Sequence, residues 1–189
     1  MDAEIVVLVR WRGGDLDRLL DERHARLGVL LARWLEQLGW SVVPEVSYSV
    51  FGERGSIDLL CWHAPSRTLL VVELKSELTS IEETLRRFDV KRRLAARIAA
   101  ERFGWKAANV GRLLVLPNDR TARRRVAAHA LLLARALPNS TAEARRWLRK
   151  PSGPLDGILF VTDSDHASGR HRTSARRRVR RPPAAPIRA

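Results

Sequence analysis

From Ile57 to Ser76 the chain reads IDLLCWHAPSRTLLVVELKS. Two apolar runs flank Ala64-Pro65-Ser66-Arg67, and a proline in such a stretch supplies the fixed φ that a tight turn uses. The segment predicts a β-hairpin with strands over Ser56 to His63 and Thr68 to Ser76. The second run is nearly all aliphatic as far as Leu74, as expected of a strand covered on both faces. A core does not keep Asp58, Glu73 and Lys75 without cause. With the hairpin symmetric about Pro65-Ser66, Ala64 faces Arg67 and Asp58 stands directly opposite Glu73, their Cβ atoms about 4.5–5.5 Å apart on one face. Lys75 and Glu77 share that face because side chains alternate along a strand.

Like charges opposite each other on paired strands repel, and burial raises the cost. Something positive must sit between them. Lys75 can serve one carboxylate; a divalent cation held by Asp58 and Glu73 is the other answer, and hard oxygen ligands point to Mg²⁺ or Mn²⁺. A backbone carbonyl near residue 74 could complete the shell. Such an ion polarises a phosphodiester and lowers the pKa of a bound water, with Lys75 orienting that water or steadying developing charge. The competing reading is a purely structural Glu73–Lys75 arrangement, or an edge strand whose charges face solvent.

Working outward, Leu16 to Leu38 carries Leu16, Leu19, Leu20, Leu27, Leu30, Leu31, Trp34, Leu35 and Leu38 at spacings of three and four. Asp15 is placed to cap the start, and Gly39 closes the run. This predicts a long amphipathic helix. Glu4 to Val9 reads as a short strand, and Ser41 to Val50 as a longer one, followed by a turn over Phe51 to Gly55. After the hairpin, Ser80 with Glu83 forms a capping box that opens a helix to about Phe103. Val110 to Leu116 reads as a strand. Asn118 or Asp119 caps a helix expected to reach Leu137, Ser140 with Glu143 caps a short helix ending before Pro151, and Ile158 to Val161 reads as the last strand. Three strands in succession between helices predict an α/β fold, a mixed sheet covered on both faces.

The chain has 189 residues, 35 Lys plus Arg against 21 Asp plus Glu, and a net charge of +14. Nearly all the positive charge is arginine, the lysines being Lys75, Lys91, Lys106 and Lys150. Such a charge attracts polyanions, and nucleic acid is the commonest such partner. Residues 163–189 hold eight arginines and two aspartates, a net +6, which leaves +8 for residues 1–162. The reading is a single domain over residues 1–162 and a basic tail over 163–189, too poor in large apolar residues to fold. Its arginines at 176, 177, 178, 180 and 181 could grip phosphates without reading sequence, or simply stay solvated. One cysteine, Cys61, excludes a disulfide framework within the chain and favours a reducing, cytoplasmic setting. The sequence shows no signal-peptide pattern and no membrane-spanning run. The sequence leaves a homodimer open.

Asp58, then Glu73-Leu74-Lys75 on a hairpin, with a long helix before and a helix and strand after, resembles the PD-(D/E)XK, or restriction-endonuclease-like, nuclease superfamily. The likeness covers residues 16 to about 117 and rests on the placement of the motif in an α-β-β-β-α-β order. WRGGDLDRLLDERHARL, FGERGSIDLL, VVELKSELTS and RLLVLPNDRTARRRVA together look like the C-terminal domain that often follows a helix-turn-helix in actinobacterial proteins of unsettled function, across about residues 11 to 162. No helix-turn-helix pattern stands in front of it in this sequence, which argues against direct operator reading. The resemblance implies a metal-dependent nuclease or nuclease-like domain acting on DNA, with Asp58, Glu73 and Lys75 as the catalytic set. It also implies a further acidic group from the first helix, carried here to Asp21 with His24 beside it. The alternative is a non-catalytic DNA-binding or regulatory module.

Arg120, Arg123, Arg124 and Arg125 follow the capping Asn118-Asp119 just where a strand ends. They put positive potential at a helix start and are candidate phosphate contacts, or else a solvated face. Arg87 and Lys91 lie near the buried edge of the helix after the hairpin, which borders the active site in the nucleases this chain resembles. Lys91 is therefore expected either on substrate or in an ion pair with Asp89 or Glu83. The six tryptophans read as core rather than as base-stacking platforms.

Overall fold

The computed structural model describes residues 14–162, with side chains from Glu22 onward. The expected Glu4–Val9 strand, Trp11 and the 163–189 tail lie outside the described residues. Helix α1 spans Gly14–Gln37 and strand β1 Ser41–Val50. The helix already contains Asp15, so that residue lies inside its first turn rather than capping it. Gly39 turns the chain between helix and strand at φ 85°, a left-handed conformation that glycine adopts without steric cost. Strand β2 runs Glu53–His63 and β3 Thr68–Leu74. Helix α2 covers Ile81–Phe103, β4 Asn109–Pro117, α3 Arg120–Ala128, α4 Ala130–Ala136, α5 Thr141–Arg149 and β5 Asp156–Val161.

The fold is α/β, a five-stranded mixed sheet in the order β1-β2-β3-β4-β5. β1, β2 and β3 pair antiparallel, and β3, β4 and β5 pair parallel. The hairpin register is the expected one over its length, from His63 opposite Thr68 to Leu59 opposite Val72. Its turn closes with the Arg67 N–H on the Ala64 carbonyl at 3.1 Å. β3 is paired on both sides and buried along all seven residues. Its alternation divides the core: Leu69 and Val71 join a cluster with Phe88, Leu94, Ala95 and Ile98 of α2, while Leu70, Val72 and Leu74 join Leu27, Leu31 and Leu35 of α1. Ala144 and Leu148 of α5 cover the α1 side, and Leu133 and Leu137 the α2 side. Cys61 is fully buried, and burial pushes its thiol far up from the usual range.

Three further expectations change. The helix from Asn118 or Asp119 to Leu137 is two helices, broken at His129 (φ −118°, ψ 27°). The apolar spacing hides the break, because Val126 and Leu133, two turns apart, both reach the core from either side of it. The Ser80 capping box is half made: the Ser80 side chain accepts from the Glu83 N–H at 3.4 Å, but the Glu83 carboxylate turns to the guanidinium groups of Arg86 and Arg87. Two charged donors outcompete one backbone amide. At Ser140 and Glu143 the reciprocal box is complete. Finally, β2 begins three residues earlier than expected, at Glu53, which confines the turn to Phe51-Gly52.

The outer edge of β5 is filled by Asn139 and by Thr141, the first residue of α5. The Ile158 N–H donates to the Asn139 carbonyl, the Phe160 N–H donates to Thr141 Oγ1, and Thr141 Oγ1 donates to the Ile158 carbonyl, each at 3.1 Å. Trp40 is held between His63 and Trp147, ring centres 5.1 and 5.7 Å away, and donates to the Leu148 carbonyl at 2.9 Å. Trp62 stacks on Trp105 at 5.9 Å. These rings are structural, as expected. Among the described residues no helix is long and apolar enough to cross a membrane.

Arg112 of β4 is a buried cation that ties four elements together. It donates to Asp156 of β5 at 2.6 Å, to Asp89 of α2 and to the Ala136 carbonyl of α4 at 3.0 Å, and lies 5.6 Å from the Phe88 ring centre. Replacing Arg112 with Met leaves the Ala136 carbonyl without its donor and Asp156 with only Arg92, 3.7 Å away, and should destabilise the fold by about 3 kcal/mol. Thermal melts should then show a midpoint lowered by roughly 6–12 °C for a domain of this size; an unchanged midpoint would show the network to be dispensable.

Candidate active site at the fork of the hairpin

Beyond Leu59 and Val72, β2 and β3 part, while β3 stays paired with β4 through Glu73 opposite Leu114 and Leu74 opposite Val115. The fork has a local cause. Ile57 and Leu60 both pack on the α2 side although they are three apart, so strict alternation breaks at Asp58. On the other side of β2, Pro44–Leu59 and Val46–Ile57 pair, and Glu45 between them sits at φ 50°, an uncommon conformation for a residue with a Cβ. The Asp58 carboxylate therefore points into the fork, where Oδ2 accepts the Leu74 N–H at 2.6 Å. Asp58 and Glu73 do not form a ladder pair as expected, because Asp58's own side chain takes the amide that continued pairing would have offered to Ile57.

The positive charge between the carboxylates is Lys91. Its Nζ donates to Glu73 Oε2 and lies 3.6 Å from Asp58 Oδ1. Lys75 reaches the other oxygen of Glu73, Oε1, at 3.0 Å. Side-chain exposure is 3% for Glu73, 9% for Lys91, 17% for Asp58 and 35% for Lys75, so the charges grade outward from the core to a mouth guarded by Lys75. Lys91 pairs with neither Asp89 nor Glu83. It stands three residues after Phe88 and seven before Ile98 on the buried stripe of α2, so its ammonium reaches the sheet rather than solvent. Burial first, and then the neighbouring Glu73 charge, raise the Asp58 pKa above the ordinary aspartate value of 3.8, against the opposing pull of Lys91 and the Leu74 amide.

A cleft of about 380 Å³ opens above these groups, with His24, Tyr48, Arg54, Arg86 and Arg87 around it. The sequence assigns Tyr48 no place at the site and His24 one only as the neighbour of Asp21. Tyr48 is opposite Gly55 in the β1–β2 ladder, and its hydroxyl lies where a Cβ on residue 55 would come within 2.6 Å. Glycine at 55 is what lets the phenol lie in the cleft. Burial, then Glu53 and Glu73, raise the Tyr48 pKa. Arg87 is at the rim, exposed and paired with Glu83. Asp21 lies in α1, but its side chain is outside the described residues; His24, one turn later, is the α1 group found beside Asp58.

No family model matches this chain, and no curated protein matches it. Its function must be argued from the site itself.

The arginines of α3 stand apart from the cleft. Arg120, Arg123, Arg124 and Arg125 are all exposed. Arg123 donates to Asn118 Oδ1 at 2.7 Å and lies over the Phe160 ring, while Arg125 donates to the Leu78 carbonyl at 2.6 Å, three residues beyond Lys75. The α3 start already has an anion: Asp119 accepts from the Ala122 N–H at 2.8 Å and pairs with Arg23. Among the described residues, no three His, Cys, Asp or Glu side chains converge as a ligand cluster. Asp58 and Glu73 are two such side chains, and the Lys91 ammonium reaches both.

Because the folded Asp58 binds its proton more tightly than the unfolded chain does, its contribution to stability is full below about pH 4 and is lost as pH rises through its raised pKa. Asp58→Asn keeps an acceptor for the Leu74 amide and removes that loss. Melts from pH 4 to 7 should show a variant that gains on the wild type as pH rises; a constant difference would contradict the assignment. Lys91→Met leaves Asp58 with only the Leu74 amide and Glu73 with only Lys75, and should cost about 3 kcal/mol at neutral pH, read by urea unfolding.

Proposed function

We propose that this chain is a Mg²⁺- or Mn²⁺-dependent nuclease domain of restriction-endonuclease-like type, acting on DNA. The observation that carries the proposal is the convergence of Asp58, Glu73 and Lys75 at the fork of the hairpin, where one ammonium, that of Lys91, touches both carboxylates. In this reading Asp58 Oδ1 and Glu73 hold the metal. Asp58 Oδ2 is already committed to the Leu74 amide, which fixes the orientation of that carboxylate. Two carboxylates with the remaining positions left to water and substrate phosphate is a usual Mg²⁺ donor set. When bound, the ion supplies Lewis acidity to the phosphodiester and a water of lowered pKa.

The chain's own groups do the rest. Lys75, on the exposed side of Glu73, orients the attacking water and steadies negative charge as it develops on the phosphate. Arg54, Arg86 and Arg87 at the rim draw the backbone in, and the net charge of +14 favours encounter with polyanions without reading sequence. Tyr48 stands where it can donate to a phosphate oxygen or pack against a sugar.

A second reading has its own support. Lys91 neutralises the carboxylate pair from within the fold, as a site that binds DNA without cutting it would allow. Cleavage of single-stranded, nicked and branched DNA in Mg²⁺ and in Mn²⁺ separates the two. Under the nuclease reading, Glu73→Gln and Lys75→Ala lower cleavage by about 10²- to 10³-fold while leaving DNA affinity within a few-fold. Wild-type cleavage no faster than that of Lys75→Ala, with DNA binding intact in both, would establish the binding module instead.

A further inference from the structure

The nuclease reading leaves unexplained why a lysine from α2 occupies the place a metal needs. Lys91 is 7% exposed, and its stem is packed on the same helix face as Phe88 and Ala95. Its ammonium contacts both Asp58 and Glu73, whereas Lys75 reaches Glu73. Together with Lys75, the two lysines and two carboxylates sum to zero charge. A divalent ion added to that set raises the sum to +2 within a few ångströms, and like charges at such separations repel strongly where water is scarce. The ion and the ammonium therefore exclude each other.

An alternative place for the ammonium exists. A lysine stem is four flexible carbons, and Lys91 borders the same cleft as Arg87, one helical turn earlier. A phosphodiester entering that cleft brings one negative charge, which gives the displaced ammonium a partner. Phosphate entry and metal entry then favour each other, since each relieves the charge imbalance that the other creates.

We propose that Lys91 is a built-in counter-cation that competes with the divalent ion for Asp58 and Glu73, so that metal loads efficiently only when nucleic acid is in the cleft to take Lys91 over. The proposal rests on the metal-dependent reading and assigns Lys91 as a positioning residue. It holds the carboxylates together before loading and contacts phosphate afterwards.

Mn²⁺ binding tests it, measured on the full chain by the loss of the free-ion electron paramagnetic resonance signal. Wild type and Lys91→Met are compared with and without single-stranded DNA carrying phosphorothioate linkages that resist cleavage. Without DNA, the variant should bind Mn²⁺ at least about tenfold more tightly than wild type. DNA should tighten wild-type binding by at least about tenfold and change that of the variant much less. A variant that binds Mn²⁺ no more tightly than wild type overturns the proposal. Absence of Mn²⁺ binding by both proteins, with DNA present, removes the metal reading and this proposal together. Tight, DNA-coupled Mn²⁺ binding without any cleavage leaves this proposal standing and removes only the catalytic claim.

A second measurement avoids the variant, whose fold is weakened. With only four lysines in the chain, acetylation followed by mass spectrometry reports each one. Lys91 should be protected relative to the exposed Lys150, and saturating Mn²⁺ should raise its labelling several-fold as the ammonium is released. Protection unchanged at Mn²⁺ concentrations where the resonance signal shows binding would equally overturn it.

Discussion

Everything at this site depends on one buried contact, the Lys91 ammonium set between two carboxylates on diverging strands. β3 carries a glutamate into the interior, where α2 brings a cation down onto one oxygen and Lys75 meets the other. The desolvation of such charges is costly, and well-packed apolar residues of similar volume would serve the fold as well or better. The charges stand beside a strand whose other residues from Leu69 on are aliphatic. The kink at Asp58 and the left-handed Glu45 opposite it have the same character: local cost concentrated where the chemistry would occur.

Much of the fold is legible in residues 57–76. The turn at Ala64 to Arg67 fixes the register, and the uninterrupted aliphatic run of β3 announces a central strand covered on both faces. α1 and α2 follow from apolar residues at helical spacing. The break at His129 does not, because a kinked and a straight helix place Val126 and Leu133 on the core equally well. Glu83 shows a second kind of ambiguity. Its position predicts a capping box, but a guanidinium within reach decides where the carboxylate goes, and that is a matter of rotamers rather than of spacing.

The site divides along the same line. That Asp58, Glu73 and Lys75 lie together follows from strand alternation and hairpin symmetry. That Asp58 ends the ladder by accepting the Leu74 amide does not, since it is a choice between a side chain and a carbonyl for the same donor. Lys91 was visible as a lysine on an apolar helix stripe, but its partners depend on how α2 is rotated over the sheet, a tertiary quantity. Tyr48 leaves one trace in the sequence, the Gly55 opposite it, and that glycine reads as an ordinary turn residue until the ladder is known.

The filled margin of β5 has a consequence for how copies of the molecule meet. Asn139 and Thr141, with Arg145 on the Phe160 carbonyl, occupy the donors and acceptors that a foreign strand would need, so extension of the sheet from that side is blocked. Strand-by-strand polymerisation requires two open margins, one to give and one to receive. A molecule sealed along one margin can join a neighbour there by no such route, and a chain of like units stops growing at its first sealed face.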